Sequence, residues 1–222
     1  MRPLLIVHTW QPDAENGKND MCRATYLYTW GRFLEHRFVF DVTRKYESLL
    51  PDEVKFDVPS GYMNTSLKTK MAIEWAYNQG YTHVIYAPTD CYIIVPRLLY
   101  KTQWHTEQGH HYWGFHSYDE HHIGGGSAYT IDRTAMAAVL AFGVYPDYED
   151  RWVGSACKAA GLEAVHDEAY RSQEQPYYAD AVTMHLSESI GEGKTSYDPL
   201  VMENLHIRVI KGATHTTDAP WL

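Results

Sequence analysis

Cysteine is scarce in this chain. Cys22, Cys91 and Cys157 are scattered and odd in number, so neither a disulfide framework nor a CxxC metal knuckle can be assembled, which favours a reducing compartment. Long apolar runs are missing as well. The first one, Leu4–Val7, stops at His8, too short for a signal-peptide core and far too short to span a bilayer. Positive charge is in deficit: 19 Lys and Arg face 28 Asp and Glu, for a net charge of −9. That balance argues against a chain that wraps nucleic acid by bulk electrostatics, and leaves only a local basic groove open. No G-x-G-x-x-G follows the first apolar run, so the dinucleotide fingerprint is excluded. Gly191-Glu192-Gly193-Lys194-Thr195 imitates a phosphate loop, but the first glycine of that motif would fall on Glu188. It reads instead as a flexible loop of the kind that closes over a bound ligand.

What the chain does hold is aromatic and imidazole: 18 Tyr, 7 Trp and 13 His among 222 residues. These suit stacking surfaces around a polar pocket, and equally a core with a wet rim. The length suits one large domain or two fused halves with a substantial core.

Thr82–Ala87, bounded by Gly80 and Pro88, is short, β-branched and aromatic, the pattern of a buried strand. Asp90 follows at its carboxyl end, and a second apolar run, Tyr92–Val95, follows Cys91. In open α/β sheets ligands sit outside the carboxyl ends of the strands. An acid there is placed to hold a divalent cation against a phosphate, and is otherwise a plain turn residue. Upstream, strands are expected at Leu4–Thr9, Arg37–Thr43 and Val54–Val58. Helices are expected at Met21–Trp30 behind an Asp20 cap, in a short piece at Arg44–Leu50, and from Asn64 or Thr65 to Gln79. The last should bury Leu67, Met71, Ala72, Trp75 and Ala76 and end at Gly80. This alternation predicts a largely parallel sheet with helices on both faces.

The second half is less regular. A helix near Pro96–Glu107 precedes a strand at His111–Phe115, and a His-rich turn (His116, His121, His122) leads into Gly124-Gly125-Gly126 and a strand at Ser127–Ile131. Asp132 should cap a helix to Phe142, Tyr148-Glu149-Asp150 should open a helix over Arg151–Ala160, and a final strand is expected at Ile207–Ile210.

Several of these segments resemble, in order, the β-1,3-glycosyltransferase family that includes Fringe and the core-1 galactosyltransferase. Thr9-Trp10, Arg23 and Thr29-Trp30-Gly31 look like its opening strand end, its Arg and its T-W-G. Asp57 and Tyr62-Met63-Asn64-Thr65-Ser66-Leu67-Lys68-Thr69 resemble D-x-Y-x-N-L-T-x-K-T, followed by the helix with its Trp75. Pro88-Thr89-Asp90-Cys91-Tyr92-Ile93 aligns with D-D-D-x-[YF]-V, with only the third acid kept. Gly124–Asp132 resembles G-G-x-G-Y-x-[LI]-S, and Glu149-Asp150-Arg151-Trp152-Val153-Gly154 resembles E-D-V-x-x-G, closing in Lys158–Gly161. The last sixty or so residues match poorly.

The resemblance implies a single α/β domain of GT-A-like, Rossmann-type mixed sheet flanked by helices. Residues 1 to about 95 would form its nucleotide-binding half and about 96–222 its acceptor and catalytic half. It implies an inverting transfer of a sugar from a UDP-sugar to an acceptor hydroxyl. Asp90 would be the metal ligand for Mn²⁺ or Mg²⁺, with His185, or His206 second, as an imidazole partner suited to Mn²⁺. Asp150 takes the base position, Glu149 being next, and the bland reading of both is helix capping. Thr9, Arg23, Lys68 and Thr89 would reach the nucleotide, with surface ion pairing as the alternative for Arg23 and Lys68. Gly125 and Gly126 would allow close backbone approach to the sugar. Eukaryotic members are membrane-anchored; this chain reads as a cytoplasmic version, bacterial or viral in style. The acceptor is either a saccharide or a hydroxymethylated pyrimidine of viral DNA, stacked on Trp and Tyr. A different class is a non-catalytic sugar- or nucleotide-binding module with a degenerate metal motif.

Overall fold

The structure, a computed structural model, describes residues 1–9, 22–23, 34–41, 49–117, 119–171, 181–185 and 206. Its centre is a seven-stranded mixed sheet of order β3-β2-β1-β4-β7-β6-β8. The strands are β1 (Pro3–His8), β2 (His36–Phe40), β3 (Glu53–Lys55), β4 (His83–Pro88), β6 (Tyr112–Gly114), β7 (Tyr129–Asp132) and β8 (Ala164–His166). β5 (Cys91–Ile93), β9 (Tyr170–Arg171) and β10 (Thr183–His185) make a second, three-stranded sheet. The helices are α1 (Thr65–Asn78), α2 (Val95–Glu107), α3 (Arg133–Ala141) and α4 (Glu149–Ala159).

The first four strands of the large sheet are parallel. The second half departs from the parallel expectation, because β7 runs antiparallel to both β4 and β6. Apolar residues alternate between two cores, as a sheet covered on both faces requires. Leu4, Ile6, Val84, Tyr86, Tyr129 and Ile131 face one side, where α1, α3 and α4 pack against one another. Leu5, Val7, Phe38, Ile85 and Trp113 face the other, under Val95 and Leu98 of α2 and Tyr170 and Val182 near the small sheet.

Most expected elements lie where the pattern put them, with shifted ends. The third strand shrinks to Glu53–Lys55 because β2, its partner, stops at Phe40. Asp132 caps α3, accepting from the Ala135 amide at 3.0 Å. Gly80 follows α1 at φ +78°, a left-handed turn that suits glycine. Asn64 occupies the α1 cap position without a capping bond; its side-chain amide donates to the Ser60 carbonyl instead. Of the face expected for α1, Ala72 and Ala76 are buried and Leu67 and Trp75 pack partly buried against the core, while Met71 is 39% exposed; Ser66, Lys68, Thr69 and Ile73 are buried as well. Helix α4 begins at Glu149, two residues before the expected start. Cys22 and Arg23 are helical. The rest of the expected Met21–Trp30 helix, the short helix at 44–50, the 191–195 loop and the final strand at 207–210 lie outside the described residues.

Candidate active site

All of the parallel strands point their carboxyl ends to one edge, and most of the residues singled out from sequence gather there. β1 ends in buried His8 and Thr9, and β2 ends in buried Asp41. From the first turns of α1, buried Lys68 donates to the Thr9 carbonyl at 2.5 Å and lies 3.6 Å from Asp41. Thr69 Oγ1 is 3.2 Å from His8 Nε2. Burial first, and the Lys68 ammonium second, hold His8 well below the usual histidine range. Lys68 thus ties the ends of two strands together. His8 and Asp41 were not singled out from sequence, and Thr69 entered only as the last residue of a motif; the signal for the first two was a polar residue at the end of each strand.

β4 ends in the turn that carries Thr89, buried, and Asp90, half-buried. Antiparallel β10 lays His185 opposite Cys91, so its backbone lies beside the residue following Asp90. His206 Nδ1 is 2.7 Å from the Tyr92 hydroxyl, two residues on from Asp90. Among the described residues, no three His, Cys, Asp or Glu side chains converge as a metal-binding group.

Across β4, the register Tyr86↔Tyr129 sets the glycine turn beside the β4 carboxyl end. Gly125–Ser127 form a short 3₁₀ turn, and the buried residue after it, Ala128, has φ +67° and ψ 155°. Such backbone in a residue with a Cβ costs of order 1–3 kcal/mol and concentrates at functional sites. The Gly125 amide donates to Asp150 Oδ2 at 3.2 Å, and the Arg151 amide to Asp150 Oδ1 at 2.7 Å. A Cβ on Gly125 would collide with Glu149 Oε1 and press on Tyr86. The space over this glycine is therefore filled by the Glu149 side chain, which is what the absence of a side chain at 125 serves.

Glu149 and Asp150 are both buried at the start of α4, and among the described residues neither forms an ion pair with a lysine or arginine. Burial, with the Asp150 charge behind it, pushes Glu149 up to about 7, against hydrogen bonds from Tyr86 and Thr65. Asp150 is raised by burial, against the amides of Gly125 and Arg151. Tyr86 stacks on Tyr129 with centroids 4.9 Å apart, and leans on His8 at 5.0 Å, so it joins the two parts of the edge. The buried Tyr129 hydroxyl has no hydrogen-bond partner among the described residues.

Arg23 is the exception among the expected residues. It pairs with Asp52 at 2.8 Å and Glu53 at 3.1 Å, with its guanidinium 4.4 Å over the Phe38 ring. Glu53 stands opposite Phe38 in mid-strand, so this cluster lies back from the edge. The ion-pair alternative describes it.

No protein-family model and no curated protein matches the chain. Solved structures do. A glycosyltransferase involved in the glycosylation of the major capsid of PBCV-1 superposes with a TM-score of 0.54 at 11% identity, over 92% of this chain and 100% of that one. A197 from STIV gives 0.48 at 10% identity over 75% and 82% of the two chains. A mutant of Drosophila β1,4-galactosyltransferase 7 in complex with manganese, UDP-Gal and xylobiose gives 0.49 at 9% identity over 89% and 76%. The fold is thus a mixed α/β domain shared with the PBCV-1 glycosyltransferase, the GT-A-like class expected. The narrower likeness to the Fringe and core-1 family rests on its motifs alone. No described helix is long and apolar enough to cross a membrane.

Proposed function

We propose that this chain is a nucleotide-sugar glycosyltransferase that moves a sugar from a UDP-sugar to an acceptor hydroxyl with inversion. The observation that carries the reading is the meeting, at the carboxyl edge of one GT-A-like sheet, of the Asp90 turn, the glycine turn and a buried pair of acids. Asp90 and His185 would hold Mn²⁺ or Mg²⁺, which supplies Lewis-acid charge to the diphosphate leaving group. Thr9, Lys68, Thr89 and Gly126 line the donor side of this edge. Arg23 is not part of it.

Asp150 is the proton acceptor. Two backbone amides fix its carboxylate, and a base must be held within hydrogen-bond reach of the hydroxyl it deprotonates. As the acceptor oxygen bonds to the anomeric carbon on one face, the bond to UDP breaks on the other, and the acceptor proton passes to Asp150. Glu149, enclosed by Tyr86, Thr65 and Gly125, fills the space over the glycine turn. The depleted acidic triplet keeps a second reading in view, a binding module that holds a nucleotide sugar without turning it over.

Thermal shift with a panel of UDP-sugars, with and without Mn²⁺, tests the donor side. A ligand at about 100 times its Kd should add roughly 2.7 kcal/mol, in the presence of Mn²⁺ and not in EDTA, and Asp90→Ala should remove most of the gain. Stabilisation that persists in EDTA and in the variant would take Asp90 out of the site, and no response to any UDP-sugar would end the donor assignment. UDP release on addition of an acceptor separates the enzyme from the binding module.

A further inference from the structure

Beside the acid pair stands an aromatic surface that the donor chemistry leaves unused. Tyr62 is 68% exposed, in the short 3₁₀ turn Tyr62–Asn64 ahead of α1, and Met63 beside it is 49% exposed. Large apolar groups held at this exposure next to a polar site are a recurring mark of ligand contact. The Tyr62 ring meets that of Tyr148 edge-on, with centroids 5.0 Å apart at 61°. Tyr148 is the residue before Glu149 and forms the N-cap of α4. The buried Tyr86 hydroxyl bonds Glu149 in turn.

The two tyrosines are not on free-swinging loops. The Ser66 amide donates to the Asp147 carbonyl at 3.2 Å, Ser66 Oγ donates to the Tyr145 carbonyl at 2.7 Å, and the Glu149 amide donates to Thr65 Oγ1 at 3.2 Å. The Asn64 amide closes the Tyr62 turn on Gly61, whose φ of +123° is open to glycine. The start of α1 and the start of α4 are thus laced into one support that holds both rings.

We propose that Tyr62 and Tyr148 form an acceptor platform that takes the apolar C–H face of a neutral pyranose and presents its hydroxyl to the acid pair. This rests on the glycosyltransferase reading and adds the substrate class. Charge chooses the occupant. Asp147, Glu149 and Asp150 flank Tyr148 in sequence, and Arg151, whose guanidinium lies 6.0 Å over the Tyr148 ring, stands 3.9 Å from Asp147. A phosphodiester backbone is repelled there. A neutral sugar supplies a hydroxyl donor to Asp150 and a hydrophobic face to the rings. The acceptor is therefore a saccharide rather than a modified DNA base.

Saturation-transfer NMR tests it, using methyl β-galactoside, lactose and xylobiose with the full chain, and a duplex containing 5-hydroxymethylcytosine as the rival. The ring C–H protons of at least one sugar should be saturated by the wild type. Tyr62→Ala should lose that signal several-fold, Tyr62→Trp should keep it, and Tyr100→Ala on α2 should leave it unchanged. Tyr62 is exposed, so a melting temperature near the wild type's certifies each variant. No saturation of any of the sugars, equal saturation in Tyr62→Ala, or a Tyr62-dependent response to the duplex would overturn the platform. UDP release from the UDP-sugar in wild-type protein is read separately. Release without sugar saturation sinks the platform and keeps the enzyme, whereas saturation without release does the reverse.

Discussion

Two groups of buried carboxylates in this fold behave in opposite ways. Asp167, just past β8, lies 2.9 Å from His105 and 3.1 Å from Lys101, both on α2. Burial alone would raise its pKa, but the bonds from His105, the Ala169 amide and Lys101 outweigh it and leave the carboxyl well below the usual range. The imidazole of His105 in turn stacks on Trp113 at 4.8 Å, so this acid clamps α2 to the sheet. Glu149 and Asp150 are as buried, yet backbone amides and hydroxyls surround them in place of cations, and both are raised. An acid with a cation beside it is committed to holding the structure. An acid kept from one retains an affinity for protons, which is what a base requires.

The contrast can be broken at several points. The largest effect should come from Asp150→Asn, which keeps size and most capping ability. If Asp150 takes the acceptor proton, kcat falls by about 10²- to 10⁴-fold with donor affinity little changed; normal turnover in a slightly less stable protein would make Asp150 a helix cap only. Next comes Asp167→Asn, which strands His105 and Lys101. Stability at neutral pH should drop by about 3 kcal/mol while the catalytic constants change little. Because the folded pKa of Asp167 is depressed, its contribution is present above the unfolded value of 3.8 and lost as pH falls below it. The gap between variant and wild type in urea melts should therefore close in acid, and a pH-independent gap would deny the ion pairs their role.

Glu149 gives the smallest effect and the opposite sign. Its folded pKa of about 7 lies above the ordinary 4.5, so the native state binds the extra proton between those values and wild-type stability falls as pH rises through them. Shared with Asp150, the loss should be on the order of 2 kcal/mol. Glu149→Gln should flatten that slope. An unchanged slope in the variant would place the titration elsewhere.

The fold was largely legible because it rests on local rules. Short β-branched and aromatic runs marked buried strands, their alternation with helices predicted cover on both faces, Asp132 and Gly80 marked helix ends, and Asp90 past the end of one strand marked the working edge. What stayed hidden depends on contacts distant in sequence. That Lys68 also joins the ends of two strands, through Asp41 and the Thr9 carbonyl, shows only in the fold. The pairing of Arg23 with Asp52 and Glu53 shows only there as well. No periodicity announces that Ala128 takes a left-handed φ, because neighbours and not its own side chain impose it. Glu149 and Asp150 were legible as a pair at a helix start, but their separate surroundings were not.

The fit of Glu149 against the bare Cα of Gly125 has a bearing on how such a chain can change over time. A methyl group at position 125 evicts the carboxylate, and a change at 149 leaves a hollow against the glycine. A substitution at either position is therefore best tolerated with a compensating change at the other, the Glu149 carboxylate being the part that must move.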